Sequence, residues 1–258
     1  MAAPPNANSP QVGAVKDPLA ADAALRMSNP EQDDLFRVFQ QAPMQPMQQL
    51  AKKIGLGEEF LRRYKDSIYR PAVFSILTIC YIQAGQPEKG YTAGENAIVL
   101  NPKDVRTMAV LSQTMARLYN PTTSDAPQRL DKAEQYGKKA LEVVPTMKKP
   151  DNMSQKDYDA SQEETLAMAH SGVGLVYVRR AKYAEAIPEL EQAVKLDPKK
   201  DPTNLYLLGM ANLNSLHFEE AAAAFTKCAA APGSLQDTCK GAAETAKMRS
   251  AQQVPAAK

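Results

Sequence analysis

The chain is poor in the residues that mark enzymes and cofactor proteins. Among 258 residues there are two histidines and three cysteines, too few and too widely spaced for a metal site. No GKS or GKT phosphate loop and no HExxH is present. Gly55-x-Gly57 and Gly172-x-Gly174 lie inside helical patterns without a preceding strand, so neither meets the context of a dinucleotide motif. His170 and His217 have no cysteine, serine or carboxylate partner evident in the sequence, and both read as structural. No apolar run approaches the roughly 18 residues that cross a bilayer, so no membrane span is expected. A net charge of +2 is too weak a field to argue for nucleic acid, and basic pairs such as Lys52-Lys53 and Lys138-Lys139 read as solvated faces. The expectation is a protein with no enzyme activity, no cofactor and no small-molecule substrate.

What the chain has is helical periodicity punctuated by 19 prolines. The best-formed stretch runs from Leu166 to Lys200, two helical patterns with a tight break at Arg180-Ala181-Lys182. Val173, Gly174 and Tyr177 fall on one face of the first pattern; Ala186, Leu190 and Ala193 do so on the second, which Pro198 closes. Small residues stand where two helices would touch and large ones beside them. This pattern resembles the tetratricopeptide repeat (TPR).

Aligned to that unit, residues 71–104 form a repeat carrying Leu77, Tyr81, Ala97 and Pro102 in the landmark slots. Leu111 follows Leu77 by 34 residues, the period of the family, which starts a further repeat over 105–148. Pro145 follows Pro102 by 43, so nine residues are extra; Asn120 to Gln128 (120–128) has the turn-forming composition to be that inserted loop. Pro198 follows Pro145 by 53, so 19 more residues are extra, Thr146 to Glu164, and 149–166 reads as an insertion that prolongs the next helix toward its N-terminus. Repeats then cover 167–200 and 201–233, with Gly174 to Gly209 and Ala186 to Ala221 each spaced by 35. Residues 31–70 read as a degenerate helix pair, and 234–258 as a capping helix and tail that closes the exposed end. Residues 1–30 read as an extended arm. They lack the basic start and apolar stretch of a signal peptide, and their composition resembles the new terminus left when an export signal is removed.

The long insertions, the PELEQAVKLDP run and FTKCAAAPGSLQDTCK are similar to a group of bacterial TPR proteins that carry export signals. The resemblance implies an all-α, right-handed α-solenoid of helix pairs, with a concave wall built from the first helix of each pair. It also implies a periplasmic or extracellular location, the alternative being cytoplasmic. On the implied groove lie Ile79, Ile82 and Gln83, then Gln113 and Arg117. The reference repeat adds Leu175, Val178 and Arg179; the last adds Tyr206, Met210, Leu213 and Asn214. Slots that hold a carboxylate clamp in some family members are mostly aliphatic here, so no clamp is expected.

The expected function is a scaffold that holds an apolar polypeptide segment in this groove. The occupant is a separate protein or peptide, the chain's own arm, or another copy. In the last case the protein would be a self-assembling structural subunit that uses its arm and array ends. Alternatively, a tight superhelix lets the same aliphatic residues pack on each other. Cys228 and Cys239 are a disulfide candidate that would tie the cap to the array and favour an oxidising compartment. The other reading is two buried thiols, and Cys80 reads as a buried thiol as well.

Overall fold

The computed structural model describes residues 29–253; the expected arm, except for Asn29 and Pro30, lies outside the described residues. Every regular element is a helix, and no strand occurs among the described residues. In chain order they are α1 (Pro30–Gln41), α2 (Met47–Arg63), α3 (Arg70–Gln83), α4 (Pro87–Leu100), α5 (Val105–Arg117), α6 (Ala126–Val143), α7 (Gln155–Arg179), α8 (Tyr183–Leu196), α9 (Pro202–Asn214), α10 (Phe218–Ala230) and α11 (Gln236–Gln253). The chain divides into two compact units, one ending at Val73 and the other beginning at Phe74.

In the first unit the sequence starts α1 cleanly. The Asn29 side chain accepts from the Gln32 N–H at 3.2 Å, Pro30 fits the first turn, and Glu31 and Asp33 face the positive end of the helix dipole. The buried Lys53 of α2 turns its ammonium onto the α1 C-terminus, donating to Gln40 O at 3.0 Å and Ala42 O at 2.6 Å. Phe39 and Phe60 are fully buried, and Phe36 stacks on Tyr69 with ring centroids 4.2 Å apart. Burial, and then a hydrogen bond with Asp33, push the Tyr69 phenol above its ordinary value.

The second unit is a run of antiparallel pairs, α3–α4, α5–α6, α7–α8 and α9–α10, closed by α11. Each of α6 to α11 packs on the helix before it, and the first helices α5 and α7 also pack on each other. Three of the turns within pairs share one geometry. Gly85, Ala181 and Leu216 take left-handed φ of 70°, 55° and 65°. Beyond them the N–H groups of Gln86, Lys182 and His217 return to Tyr81 O, Tyr177 O and Asn212 O at 2.8, 2.8 and 2.9 Å. That returning bond satisfies a helix-end carbonyl, which is why one turn recurs on three different sequences.

Glycine sets how closely the helices approach. A Cβ built on Gly174 would lie 2.7 Å from Leu190 Cγ, and one on Gly209 would lie 2.6 Å from Phe225 Cε1. Leu190 and Phe225 are both fully buried, so each large side chain is seated on a glycine of the partner helix.

The insertions are folded parts of this unit. Of the 120–128 stretch, Ala126 to Gln128 already belong to α6, where Ala126 is buried; the expected loop is shorter by those three residues. The 149–166 stretch supplies the first turns of the 25-residue α7, whose start is capped by Ser154 accepting from the Asp157 N–H at 3.1 Å. At the other end a disulfide joins Cys228 of α10 to Cys239 of α11, with Cα atoms 5.8 Å apart and both residues fully buried. Cys80 is buried and stands outside that bridge.

Candidate functional site

Of the aliphatic residues expected to line a groove, Leu175 is buried in the array, while Ile79, Ile82, Val178, Met210 and Leu213 keep part of their surface exposed. Leu175 is 4% exposed and sits in one apolar cluster with Leu207 and Ala211 of α9, while Val178 packs against the same cluster. Tyr206, Met210 and Leu213 pack on the cluster that joins Ala221 and Phe225 to Ala243 and Ala246 of the terminal helix. Ile82 lies against Gly90 of its own partner helix, its Cγ1 2.8 Å from where a Cβ would stand. A first helix inside a stack has a partner on one side and the next repeat on another, so both sides are apolar without a ligand. Ile79 is half-buried, and Gln83, Arg117, Arg179 and Asn214 are exposed. Arg179 donates to Ala116 O at 3.3 Å, and Asn214 to Met210 O at 2.8 Å. Gln113 and Arg117 belong to a different feature.

That feature is a cleft of about 220 Å³ bordered by α5, α7, α9 and the turn between α8 and α9, where Ala167, Met168 and Pro198 line it beside the polar groups. Gln113 of α5 donates to the Ser171 hydroxyl of α7 at 3.1 Å, and Ser171 donates to Asn204 Oδ1 of α9 at 2.7 Å. Asn204 in turn donates to Asp197 Oδ2 at 3.5 Å. Ser171, Asn204 and Asp197 are buried, so one chain of hydrogen bonds joins three successive repeats through the interior. Asp197 also accepts from the N–H groups of Lys199 at 2.8 Å and Asp201 at 2.6 Å, which folds the turn back on itself. At the mouth Arg117 pairs with Asp201 at 2.8 Å, and Lys199 with Glu164 at 2.8 Å.

Glu164 and Asp201 are held below the ordinary carboxylate range for identifiable reasons. The Lys199 ammonium outweighs burial and holds Glu164 below its ordinary value. For Asp201 burial pushes up; the hydrogen bonds from Thr203 and the Arg117 guanidinium outweigh it and hold the group down. Fixed, charged and mutually bonded groups suit the cleft to recognising polar groups. Asp197, Lys199, Asp201, Asn204 and Glu164 were not among the groove residues expected from the sequence. The one available sign was the DPKKD run, whose acids and proline mark a turn running into a helix cap. His170 likewise has a partner that its sequence neighbours do not show: its Nδ1 lies 2.7 Å from Glu189 Oε2 of α8.

Repeated antiparallel helix pairs in which each packs on its neighbours define an α-solenoid. Residues 169–200 match the family model of the tetratricopeptide repeat. Among solved structures, a thermophilic TPR protein from Thermus thermophilus is similar at TM-score 0.53 and 20% identity, covering 84% of this chain and 99% of that one. The MamA RS-1 ArsTM double mutant is similar at TM-score 0.52 and 16% identity, covering 80% of this chain and 92% of that one. At such identities the likeness concerns the fold alone. No curated protein matches the sequence.

Proposed function

We propose that the protein is a non-enzymatic interaction scaffold whose cleft between α5, α7 and α9 holds an extended polypeptide segment of another protein. The observation that carries this reading is the hydrogen-bond chain from Gln113 through Ser171 and Asn204 to Asp197, which fixes the cleft before anything binds. A site ordered in advance loses less entropy on association. The segment it suits presents both polar groups and apolar side chains, since Ala167, Met168 and Pro198 line the cleft beside Gln113, Arg117 and Asn204. Gln113 Oε1 can accept from a peptide N–H, and the Arg117 and Lys199 side chains stand partly in solvent to meet a carbonyl or carboxylate. The Cys228–Cys239 disulfide supports a periplasmic or extracellular site of action.

The test is photo-crosslinking in the native host, with a benzophenone amino acid replacing Lys199 in one variant and Ala223, on the exposed side of α10, in another. A discrete protein adduct at position 199, absent at 223 and lost with Arg117→Glu, is the expected result. Identical adducts at both positions, or none at 199, would overturn the reading.

A further inference from the structure

The 19-residue insertion builds a second concavity that the repeats alone would not form. It encloses about 280 Å³ between the α4–α5 turn, the start of α5 and the first turns of α7. Its walls are held by the insertion's own bonds. The Tyr158 hydroxyl donates to Met147 O at 2.6 Å, and Gln162 donates to Val144 O at 3.4 Å and to the Tyr158 oxygen. Lys149 fastens the preceding loop by donating to Met153 O at 2.8 Å. The floor is apolar, with Val144 1% and Val105 7% exposed, yet the Met147 side chain at the mouth remains 38% exposed.

Two cations and one carboxylate border the mouth. Asp104 turns its carboxylate inward, accepting from the Thr107 N–H at 3.1 Å and from the Ser75 hydroxyl. Lys103 is exposed, and Arg106, 59% exposed, reaches a carboxylate only at 3.8 Å, on Glu164. Lys103 and Arg106 therefore border a pocket whose floor is apolar, with the one carboxylate there, Asp104, already engaged by Thr107 and Ser75. We infer that this pocket is a docking site, separate from the cleft, for a partner polypeptide that inserts one aliphatic side chain with carboxylates on either side of it. Apolar burial anchors such a segment, and the cations select its flanks and speed its encounter.

The probe is an acetylated, amidated Glu-Glu-Leu-Glu-Glu peptide titrated into the full chain carrying ¹³C-methyl methionine, with Met147 assigned through Met147→Leu. The expected result is a saturating shift of the Met147 methyl. It should weaken at least tenfold with Arg106→Glu, with a Lys-Lys-Leu-Lys-Lys probe, or with serine replacing the probe's leucine. Thermal melting of Arg106→Glu that matches the parent separates lost binding from lost folding. No Met147 shift, or equal shifts with the acidic and basic probes, overturns the inference. So does a Met147 signal that moves on dilution of the protein alone, which would assign the pocket to a second copy. None of these outcomes depends on the Lys199 crosslink, so the two sites stand or fall separately.

Discussion

Two of the kinds of contact in the second unit depend on glycine. In the pairs α7–α8 and α9–α10 a large side chain rests on a glycine: Leu190 on Gly174, Phe225 on Gly209. Between the first helices α5 and α7 a backbone rests on one. A Cβ on Gly172 would lie 2.8 Å from Gln113 N and 2.9 Å from Ser112 C, with the Ser112 hydroxyl closer still, and Gly137 of α6 faces that same hydroxyl at 2.5 Å. A side chain can turn aside; a helix backbone can only move as a body, taking its hydrogen bonds with it. The two contacts should therefore fail differently. It also explains Ser112, fully buried with its hydroxyl unbonded: a small residue is needed there, and the unmet hydroxyl is the cost of that choice.

The largest effect should come from Gly172→Leu, which has to part α5 from α7. We expect a loss on the order of 4 kcal/mol, seen as a collapse of the urea midpoint, and only partial rescue by Ser112→Gly because Gln113 N stays in place. Full rescue would show that the Ser112 side chain, not the backbone, sets the approach. A third kind of contact, covalent, closes the α10–α11 end. Replacing Cys228 and Cys239 together by serine removes a bridge across a separation of 11 residues. The expected loss is about 3 kcal/mol, and hydrogen exchange should show it concentrated in α11. Exchange that rises evenly over α7 to α11 would mean that the cap is not a separate closure. Gly174→Leu should cost less than Gly172→Leu, on the order of 1 to 3 kcal/mol, because Leu190 can yield. Its coupling with Leu190→Ala, read from a double-mutant cycle, should be large, whereas Gly172→Leu with Leu190→Ala should be additive.

The same distinction marks what the sequence could reveal. Gly174, Gly209, Ala186 and Ala221 recur at a fixed interval because each contact is made between neighbouring helices, so spacing alone exposes it. The helix pairs and the prolonged α7 follow from that register. The fate of the aliphatic face does not. Periodicity gives the width of an apolar stripe without saying what covers it: Leu175 is covered by α9, while Tyr206, Met210 and Leu213 are only partly buried, against α10 and α11. The cleft is less legible still. Its bonds join Gln113 to Ser171 across 58 residues and Ser171 to Asn204 across 33, and only the superposition of three repeats brings them together. His170 and Glu189, 19 residues apart, meet instead between the two helices of a single repeat.

The smallest effect belongs to the polar links that run over the apolar contacts. Arg180, at the end of α7, reaches Glu134 and, at 2.5 Å, Asp131, both on α6, and Lys138 also pairs with Glu134 at 2.5 Å. Burial pushes the Glu134 carboxyl up, but hydrogen bonds from Lys138 and Arg180 outweigh it and hold the group below its ordinary 4.5. A carboxylate depressed in the folded state contributes stability above its unfolded pKa, and that contribution fades as the pH falls through the folded value. Arg180→Gln should therefore cost less than about 1 kcal/mol near neutrality, since pairs this close to solvent contribute little. The difference from the parent should shrink between neutrality and acid, as the pH falls through Glu134's lowered folded value and its carboxyl becomes protonated in both proteins. Urea midpoints at the two pH values decide it. An undiminished gap in acid would mean that Arg180 works through the packing of its aliphatic stem on α6, and the link would then belong with the side-chain contacts rather than above them.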